Sequence, residues 1–468
     1  MADAYDVVVI GAGTGGYSTA LRSAQLGQRV ALIERDDRLG GTCLLRGCIP
    51  AKALLQSAAV LDTVDRAGEW GIDASGTPDW SQIVAFEDRI VDKLVKGVTG
   101  LVKARGIDVI QGTATLVAGP AVVVESHGST QRVDAANVVI ATGSAPKLLP
   151  GVEVSDHVIT SDQALWYDRI PSSAVVIGAG AVGLEFASMY RSFGADVTLV
   201  EALPALAPLE DDEVSKEIAR AYRKRGITTA SGASVDTIAD TGSGVEVTFR
   251  TDGDTTSVAA DICLVAIGRG PVTSGLGLDT AGVSIHEKGF VDVDERLGTN
   301  VPGVWAVGDV AATPLQLAHV SFDEGYAVAE RIAGLEVAQI DYVNIPRVTY
   351  CTPEIASVGL TEAQARERGV DVVTERLDLR GIGKANILGE GGFVKIVAET
   401  DPSGTPGTVV GVHMIGPHVT DLIAEGMLIT NWEATVDEVA AMHHPHPSLS
   451  EGLGEAMLAL AGKPLHSA

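Results

Sequence analysis

The stretch YDVVVIGAGTGGYSTALRSAQLGQRVALIE, residues 5–34, decides the fold. It consists of an apolar β-branched strand, a glycine-rich turn, a helix and a second strand that ends on Glu34. Of its glycines, Gly11 allows a tight turn, Gly13 lets the backbone approach a pyrophosphate, and Gly16 lets the helix pack on the strand. The helix N-terminus offers amide donors and a positive dipole to phosphates, and Glu34 can accept hydrogen bonds from a ribose diol. The pattern predicts a dinucleotide-binding fold.

A second copy of this pattern begins near residue 174. Its apolar strand leads into Gly178, Gly180 and Gly183, and the strand after its helix ends on Glu201. In both copies the acidic residue follows the first glycine by 23 positions. One glycine motif can arise by chance in a turn, but two copies in strand–helix context with equal acidic spacing indicate two nucleotide cofactors. The carboxylate of Glu201 would repel the 2′-phosphate of NADP, so we expect NAD at the second site.

The composition excludes several classes of protein. The chain has 468 residues, of which 46% are hydrophobic, enough for two or three domains with sizeable cores. Its net charge of -27 would repel nucleic acid, and suits solubility or a basic protein partner. No uninterrupted apolar run approaches the roughly 18 residues of a membrane span, and the acidic start, with Asp3 and Asp6, is unlike a signal peptide. We therefore expect a cytoplasmic enzyme that binds neither nucleic acid nor membrane.

Two of the four cysteines, Cys43 and Cys48, lie in LGGTCLLRGCIPAKALL, residues 39–55. A continuous helix would separate them by about 7.5 Å of axial rise, beyond the roughly 7 Å between Cα atoms that a disulfide tolerates, so we expect non-helical chain between them. Pro50 fits a helix only in its first turn, which places Cys48 at a helix N-terminus. There the dipole, and Lys52 one turn later, favour a thiolate. We interpret the pair as redox-active; two core cysteines or half of a metal site are the alternatives.

The remaining cysteines and two further glycine signatures bear on domain organisation. Cys263 and Cys351 stand alone in apolar contexts, so we expect structural roles for them and predict no metal site. The stretches NVVIATG (137–143) and VWAVGD (304–309) are strands that end in glycine motifs, although either alone could be an ordinary strand end. Because they flank the second copy, the first domain is expected to be interrupted by the second and to resume near residue 275.

Together these motifs resemble the pyridine nucleotide–disulfide oxidoreductase family over essentially the whole chain. The resemblance rests on GGTCLLRGCIPAKALL, the two glycine motifs, ATG and VGD. It implies an α/β fold with two Rossmann-like dinucleotide-binding domains and an α+β C-terminal dimerisation domain. The implied domains are an FAD-binding domain (1–147), an NAD-binding domain (148–274), a resumed FAD or central domain (275–345) and an interface domain (346–468).

The C-terminal segment MHHPHPSLSEGLGEA, residues 442–456, is similar to that of the dihydrolipoamide-oxidising branch of this family. In that branch the His-Pro histidine is the acid/base and a glutamate five residues later orients it, which gives His446 and Glu451 here. The chemistry agrees, because histidine can take a thiol proton near neutral pH and a carboxylate on the far ring nitrogen fixes its tautomer. From the residues alone, a surface cluster of His443, His444 and His446 or a zinc site stays open.

The resemblance also implies the cofactor contacts. Lys52 would lie against the flavin and pair with Glu185, and Asp309 would contact the ribityl chain. Further residues are implied near FAD (Gly112 and Gly143), at the flavin pyrimidine (Leu315, Gln316, Leu317, Ala318 and His319) and near NAD (Gly268 and Arg269).

The implied cycle begins when His446 deprotonates dihydrolipoamide and the substrate thiolate attacks Cys43. Cys48 is left as a thiolate facing FAD, and NAD accepts the hydride. The histidine would come from the other subunit of a homodimer, and the substrate would be carried by the lipoyl-bearing acyltransferase subunit of a 2-oxo acid dehydrogenase complex. The sequence departs from the family pattern at Leu45 and Arg46, where Asn-Val is usual.

Three alternatives remain at this stage. One is a reductase of a low-molecular-weight disulfide, whose NADPH-dependent form is disfavoured by Glu201. The mercury- and thioredoxin-reducing branches carry an additional C-terminal cysteine pair that KPLHSA (463–468) lacks. The third is a flavin-binding assembly or interaction protein without activity, against which the intact set of Cys43, Cys48, His446 and Glu451 argues. The acidic run 210–213 is expected only to open a helix.

Overall fold

A computed structural model describes residues 4–466. Residues 1–3 and 467–468 lie outside the described residues, and with them Asp3 and the end of the KPLHSA stretch. The helices are α1 (Thr14–Gln25), α2 (Gly41–Arg46), α3 (Cys48–Asp65), α4 (Trp80–Ala104), α5 (Ser161–Ala164), α6 (Ala181–Ser192), α7 (Asp212–Lys224), α8 (Leu278–Ala281), α9 (Ala318–Ile332), α10 (Glu362–Glu367), α11 (Gly383–Leu388), α12 (Val419–Asn431), α13 (Val436–Ala440) and α14 (Glu451–Leu460). Short 3-10 turns lie at Ala67–Trp70, Gly308–Val310 and Leu379–Gly381.

The strands are β1 (Tyr5–Ile10), β2 (Val30–Glu34), β3 (Asp108–Gln111), β4 (Thr113–Val117), β5 (Ala121–Ser126), β6 (Ser129–Ile140), β7 (Ser144–Pro146), β8 (Val158–Ile159), β9 (Ser173–Ile177), β10 (Asp196–Val200), β11 (Thr228–Ala230), β12 (Ser234–Asp240), β13 (Val245–Thr251), β14 (Asp254–Ala260), β15 (Ile262–Val265), β16 (Arg269–Pro271), β17 (Val304–Ala306), β18 (Arg347–Thr349), β19 (Glu354–Gly359), β20 (Val372–Asp378), β21 (Phe393–Thr400) and β22 (Pro406–Gly416).

The described chain divides into two compact units. Within the described residues, the first unit comprises 4–54, 81–147 and 269–342, and the second comprises 55–80, 148–268 and 343–466. The chain thus returns to the first unit at 269, slightly before the expected residue 275. The reason is local, because β16 pairs antiparallel with β7 as soon as the chain returns.

The first unit is built on a parallel sheet in the order β3-β2-β1-β6, with β17 beside β6 and the antiparallel strands β5 and β4 continuing from β6. The apolar run of β1 is buried on both faces, as in parallel sheets generally. Val8 and Ile10 belong to the core on one face, whereas Val7 and Val9 pack in the core that includes residues of α1 and α9. The carboxyl ends of β1, β2 and β6 therefore present the glycine turn, Glu34 and the ATG loop at one edge.

The second unit repeats the parallel sheet in the order β11-β10-β9-β15-β8 and adds an antiparallel meander, β12-β13-β14. Its C-terminal part is an antiparallel sheet, β18-β19-β22-β21-β20, whose core includes residues of α12 and α14. The predicted α/β class, with two Rossmann-like regions and an α+β C-terminal domain, is confirmed.

The acidic run 210–213 opens α7 as predicted, because the Asp211 side chain accepts a hydrogen bond from the backbone N–H of Glu213. It does more than cap the helix. The buried ammonium of Lys395 lies 3.0 Å from Asp211, 3.0 Å from Glu213 and 2.9 Å from Glu362. The run therefore also ties the nucleotide-binding part of the second unit to its C-terminal sheet.

By length and composition alone, one described stretch, Gly41–Asp65, is apolar enough to cross a membrane. It consists of α2 and α3 with Gly47 between them, and about a third of the apolar window is buried within the protein. This stretch is the segment that bears Cys43 and Cys48.

Candidate active site

The two glycine turns have the same backbone geometry. Gly11 has φ +98° and Gly178 has φ +101°, in the region that favours glycine. A Cβ on Gly16 would overlap the carbonyl oxygen of Gly11, and one on Gly183 would overlap that of Gly178. The third glycine of each motif is therefore required by the contact between helix and turn.

The acidic residues at the strand ends also match. Glu34 accepts hydrogen bonds from the backbone N–H of Ala12 at 2.7 Å and of Asp36 at 2.9 Å. Glu201 accepts from the equivalent positions, Ala179 at 2.6 Å and Leu203 at 2.8 Å. A carboxylate has about four lone-pair sites, so each can still accept from a ribose.

Helices α1 and α6 begin at these turns, and within residues 4–466 no side chain caps either of them. Their N-cap residues are Gly13 and Gly180. The first-turn amides are thus left to other acceptors, which fits a pyrophosphate at each helix N-terminus.

The cysteine segment bends at one residue. Cys43 lies in α2, Gly47 interrupts the helix with φ -151° and ψ -112°, and Cys48 opens α3. The predicted helix start at Cys48 and the position of Pro50 in its first turn are confirmed. The expected interruption of the helix between the cysteines, with a bend that Gly47 permits, is found at Gly47, but the expectation that the interval is non-helical was wrong up to Arg46, where α2 ends.

The two thiols are chemically unequal. Both cysteines are free, and a hydrogen bond to Cys48 together with burial raises the pKa of the Cys43 thiol, against the positive charge of Lys52. A hydrogen bond thus joins the two thiols, and the sulfur of Cys48 lies at the N-terminus of an 18-residue helix, where the dipole favours a thiolate. The Asp309 carboxylate also raises the pKa of Cys43, which places Asp309 within electrostatic range of the pair.

Tyr17 is a site residue that sequence reasoning missed. Burial and then the neighbouring Cys43 and Cys48 raise the pKa of its hydroxyl. Its ring makes an edge-on contact with Phe322, at 5.6 Å between centroids. The only sequence signal was its place directly after Gly16, which fixes it on the first turns of α1.

Asp309 belongs to a hydrogen-bonded chain in the first unit. Ser144 donates to Asp309 at 2.6 Å, and Arg269 donates to Ser144 at 2.7 Å. Arg269 also donates to Thr42, next to Cys43, at 3.4 Å. The observed contacts of Arg269 are thus with the ATG loop and the cysteine segment, while its NAD-side role stays a prediction.

The predicted flavin-pyrimidine residues form the start of α9. Leu317 is the N-cap, Ala318 and His319 open the helix, and the side chain of Gln316 donates to the carbonyl of Thr313 at 3.1 Å. Leu315 precedes them. These residues form the N-terminus of a 15-residue helix, which carries partial positive charge. That end of the helix suits a bound group that gains negative charge.

The three remaining predicted glycines differ in surroundings. Gly112 has φ +156° and would meet the backbone of Glu125 if it carried a Cβ, so packing alone requires glycine there. Gly143 and Gly268 have φ +69° and +108° and open space around them, which leaves room for a ligand.

Glu185 is buried in α6, and its carboxylate accepts a hydrogen bond from the backbone N–H of Tyr350 at 2.9 Å. Both residues belong to the second unit. Lys52 belongs to the first unit, and its pairing with Glu185 stays a prediction.

His446 and Glu451 form the predicted pair. The Nδ1 atom of His446 lies 2.7 Å from Oε1 of Glu451, whose Oε2 accepts from the backbone N–H of Ser448 at 2.8 Å. Partial burial opposes ionisation, but these two hydrogen bonds hold the pKa of Glu451 below its usual value. The imidazole is 76% exposed, so its Nε2 is accessible to a reacting thiol. Among the described residues, no group of three or more His, Cys, Asp or Glu could hold a metal ion.

Comparison with known proteins agrees with this geometry. Residues 5–325 match the model of the pyridine nucleotide-disulphide oxidoreductases, and residues 345–457 match the dimerisation domain of the same family. The chain belongs to this family.

Full-length relatives of this family member are named dihydrolipoyl dehydrogenase. One from Bacillus subtilis is 42% identical over all of both chains, and one from Mycobacterium tuberculosis is 40% identical over 98% of each. Among solved structures, LpdA of Mycobacterium tuberculosis matches with TM-score 0.89 and 29% identity over 97% of this chain and 99% of its own. The HOCl-induced flavoprotein disulfide reductase RclA of Escherichia coli matches with TM-score 0.86 and 28% identity, over 97% and 99%.

Proposed function

We propose that this pyridine nucleotide-disulphide oxidoreductase is a dihydrolipoyl dehydrogenase, which oxidises protein-bound dihydrolipoamide to lipoamide with NAD as acceptor. The observation that carries the proposal is the hydrogen-bonded pair of free cysteines, in which Cys43 lies in the short helix α2 and Cys48 opens the 18-residue helix α3. Relatives of that name at about 40% identity over the full chain support it.

The residues present fit FAD and NAD. The uncapped N-terminus of α1 and the carboxylate of Glu34 suit the FAD pyrophosphate and ribose, and those of α6 and Glu201 suit NAD. Gly143 and the start of α9 supply open backbone toward FAD. When bound, FAD takes the electron pair from the dithiol and delivers it as hydride to NAD.

The chain's own groups perform the sulfur chemistry. His446 takes the proton of one substrate thiol, and Glu451 stabilises the imidazolium through Nδ1. The substrate thiolate attacks the sulfur of Cys43 in the disulfide form, and the Cys43–Cys48 bond breaks with Cys48 leaving as the thiolate. The second substrate thiol then attacks the substrate sulfur bound to Cys43. Lipoamide is released as the proton of the second thiol passes to Cys43, which leaves Cys43 as a thiol, Cys48 as a thiolate and the first proton on His446.

The active species is a homodimer in this proposal, with His446 supplied by the partner subunit. The matched dimerisation domain supports the homodimer. Large apolar side chains are exposed in this domain, with Trp432 75%, Met442 66% and Leu428 41% accessible, and such groups commonly become buried at subunit contacts.

The dithiol donor is then the lipoyl-bearing acyltransferase subunit of a 2-oxo acid dehydrogenase complex, and the enzyme acts in the cytoplasm. The relatives' name supports this partner, because dihydrolipoyl groups are carried by such subunits. The net charge of -27 favours a basic docking surface on that partner.

A second candidate is a reductase of a low-molecular-weight disulfide, and the likeness to RclA, a flavoprotein disulfide reductase, favours a disulfide reductase in general. One steady-state comparison separates the two. Purified yellow protein should form NADH rapidly from dihydrolipoamide and NAD, and far more slowly NADPH from NADP. Faster turnover of a glutathione-type disulfide than of lipoamide, with either nucleotide, would overturn the assignment.

A further inference from the structure

A second histidine–carboxylate pair lies beside the catalytic one. The Nε2 atom of His444 is 2.6 Å from Oε1 of Glu425 on α12. The His444 side chain is only 11% exposed, whereas that of His446 is 76% exposed. Two histidines separated by one residue thus have opposite environments, one fixed and one accessible.

The ring of His444 is fixed against α14. A Cβ on Gly454 would overlap its Nδ1 and approach Cε1 at 2.8 Å, so the ring rests on backbone that only glycine leaves open. Gly454 lies three residues after Glu451, and positions i and i+3 share one helix face. The face of α14 that holds Glu451 for His446 therefore also holds His444.

The charges around His444 come from two helices. The hydrogen bond to Glu425, opposed by burial, raises the pKa of His444, and the carboxylates of Glu425 and Glu451 add to the rise. A third pair, His466 with Glu455 at 3.1 Å, also acts on Glu451 from the C-terminal segment. The His444 imidazolium and the Glu425 carboxylate together are neutral, and His444 lies within electrostatic range of Glu451.

We propose that the His444–Glu425 pair is a positioning element of the reaction, which seats the histidine segment on α14 and sets the electrostatic field in which the His446–Glu451 pair exchanges protons. His444 acts through Glu451 and does not contact the reacting sulfur. The inference rests on the proposed function, because it concerns the same proton transfer.

Charge balance gives the sign of the effect. His444→Gln removes the cation but leaves Glu425, so the catalytic pair gains an uncompensated negative neighbour that favours its imidazolium. The apparent pKa of the dithiol half-reaction should rise by about 0.5–1 pH unit. The double change His444→Gln with Glu425→Gln removes both charges, and its apparent pKa should return toward that of the unchanged enzyme.

The test is stopped-flow reduction of the FAD-loaded enzyme by dihydrolipoamide over a range of pH. His443→Gln is the matched control, because His443 is an exposed neighbour in the same segment, and it should leave the apparent pKa in place. An upward shift in His444→Gln that the double variant reverses supports the proposal.

A fall in rate without a shift in the apparent pKa, or the same shift in the double variant, would overturn it. If His444→Gln does not fold, Glu425→Gln alone removes the anion and leaves the cation, so the apparent pKa should fall, and a rise or no shift would count against the proposal. Failure of the unchanged enzyme to be reduced by dihydrolipoamide would refute the proposed function instead, so the two failures are distinguishable.

Discussion

The two dinucleotide units share their backbone geometry but differ in what covers them. Around the first, the cysteine segment closes on the glycine turn: Gly40 donates to the carbonyl of Ala12 at 2.9 Å, and a Cβ on Gly41 would lie 2.5 Å from Cα of Gly13. Around the second, no atom of residues 4–466 other than its chain neighbours and its own helix backbone lies within 4 Å of a Cβ on Gly180, and Val182 is 37% exposed. An enclosed turn suits a retained cofactor and an open turn suits one that exchanges, which matches FAD and NAD.

The largest effect on turnover should follow from replacing the third glycine of a glycine turn with alanine. Gly183→Ala places a methyl group on the carbonyl of Gly178, so NAD-dependent turnover should fall by about a hundredfold or more while bound FAD and dithiol reduction persist. Gly16→Ala does the same in the first unit and should yield protein without FAD. Absorbance spectra and half-reaction rates measure both.

Gly180→Ala is the matched control, because its Cβ would enter open space. It should lower NAD-dependent turnover much less than Gly183→Ala. Equal losses in the two alanine variants would contradict the account of an open second turn.

A smaller effect should come from Glu201. Glu201→Gln removes the charge opposed to a 2′-phosphate, so the ratio of kcat/KM for NAD over NADP should fall by about tenfold or more. Glu34→Gln should leave this ratio unchanged and weaken FAD retention instead. A preserved NAD preference in Glu201→Gln would remove this residue as the selector.

The smallest effect concerns helix α4, which packs on the cysteine segment of the first unit. Glu87 in α4 is fully buried, neither of its carboxylate oxygens has a hydrogen-bond partner in the described chain, and burial raises its pKa to about 8. It lies one turn before Val91, which packs with Leu44 of the cysteine segment. Because the folded pKa exceeds the usual value, stability is highest below about pH 4.5 and falls as pH rises to about 8.

Glu87→Gln should therefore remove this pH dependence of the free energy of unfolding. At pH 8.5 its free energy of unfolding should exceed that of the unchanged protein by about 1–2 kcal/mol. Asp88→Asn, at the exposed neighbouring position, is the control: the Asp88 carboxylate raises the pKa of Glu87 less than burial does, so most of the pH dependence should stay in place. Urea unfolding at pH 5, 7 and 8.5 measures the difference. The same difference in free energy of unfolding between Glu87→Gln and the unchanged protein at all three pH values would refute a raised pKa of Glu87 as the cause.

Much of the fold was predictable because its signals are local. The strand–glycine–helix pattern depends on neighbouring residues, and Pro50 with the cysteine spacing predicted the start of α3. The short helix α2 escaped prediction because six residues carry no readable periodicity. The buried Glu87 looked like any charge on an amphipathic helix.

The missed site residues depend on contacts distant in sequence. Arg269 was predicted as a site residue, but its hydrogen bond to Ser144 spans 125 positions, and Tyr17, which was missed, approaches the cysteines through packing of α1. The His444–Glu425 pair spans 19 positions and needs the bare backbone of Gly454. Such pairings follow from tertiary packing, which no local pattern encodes.

The claim that the Cys43–Cys48 pair performs the chemistry has one direct test. Anaerobic stopped-flow mixing of the FAD-loaded protein with dihydrolipoamide, without NAD, should reduce the disulfide and develop long-wavelength absorbance from the Cys48 thiolate beside the flavin. Cys43→Ser should abolish reduction by the dithiol while FAD stays bound. Equal reduction of the unchanged protein and of Cys43→Ser, or no reduction of either, would contradict the account.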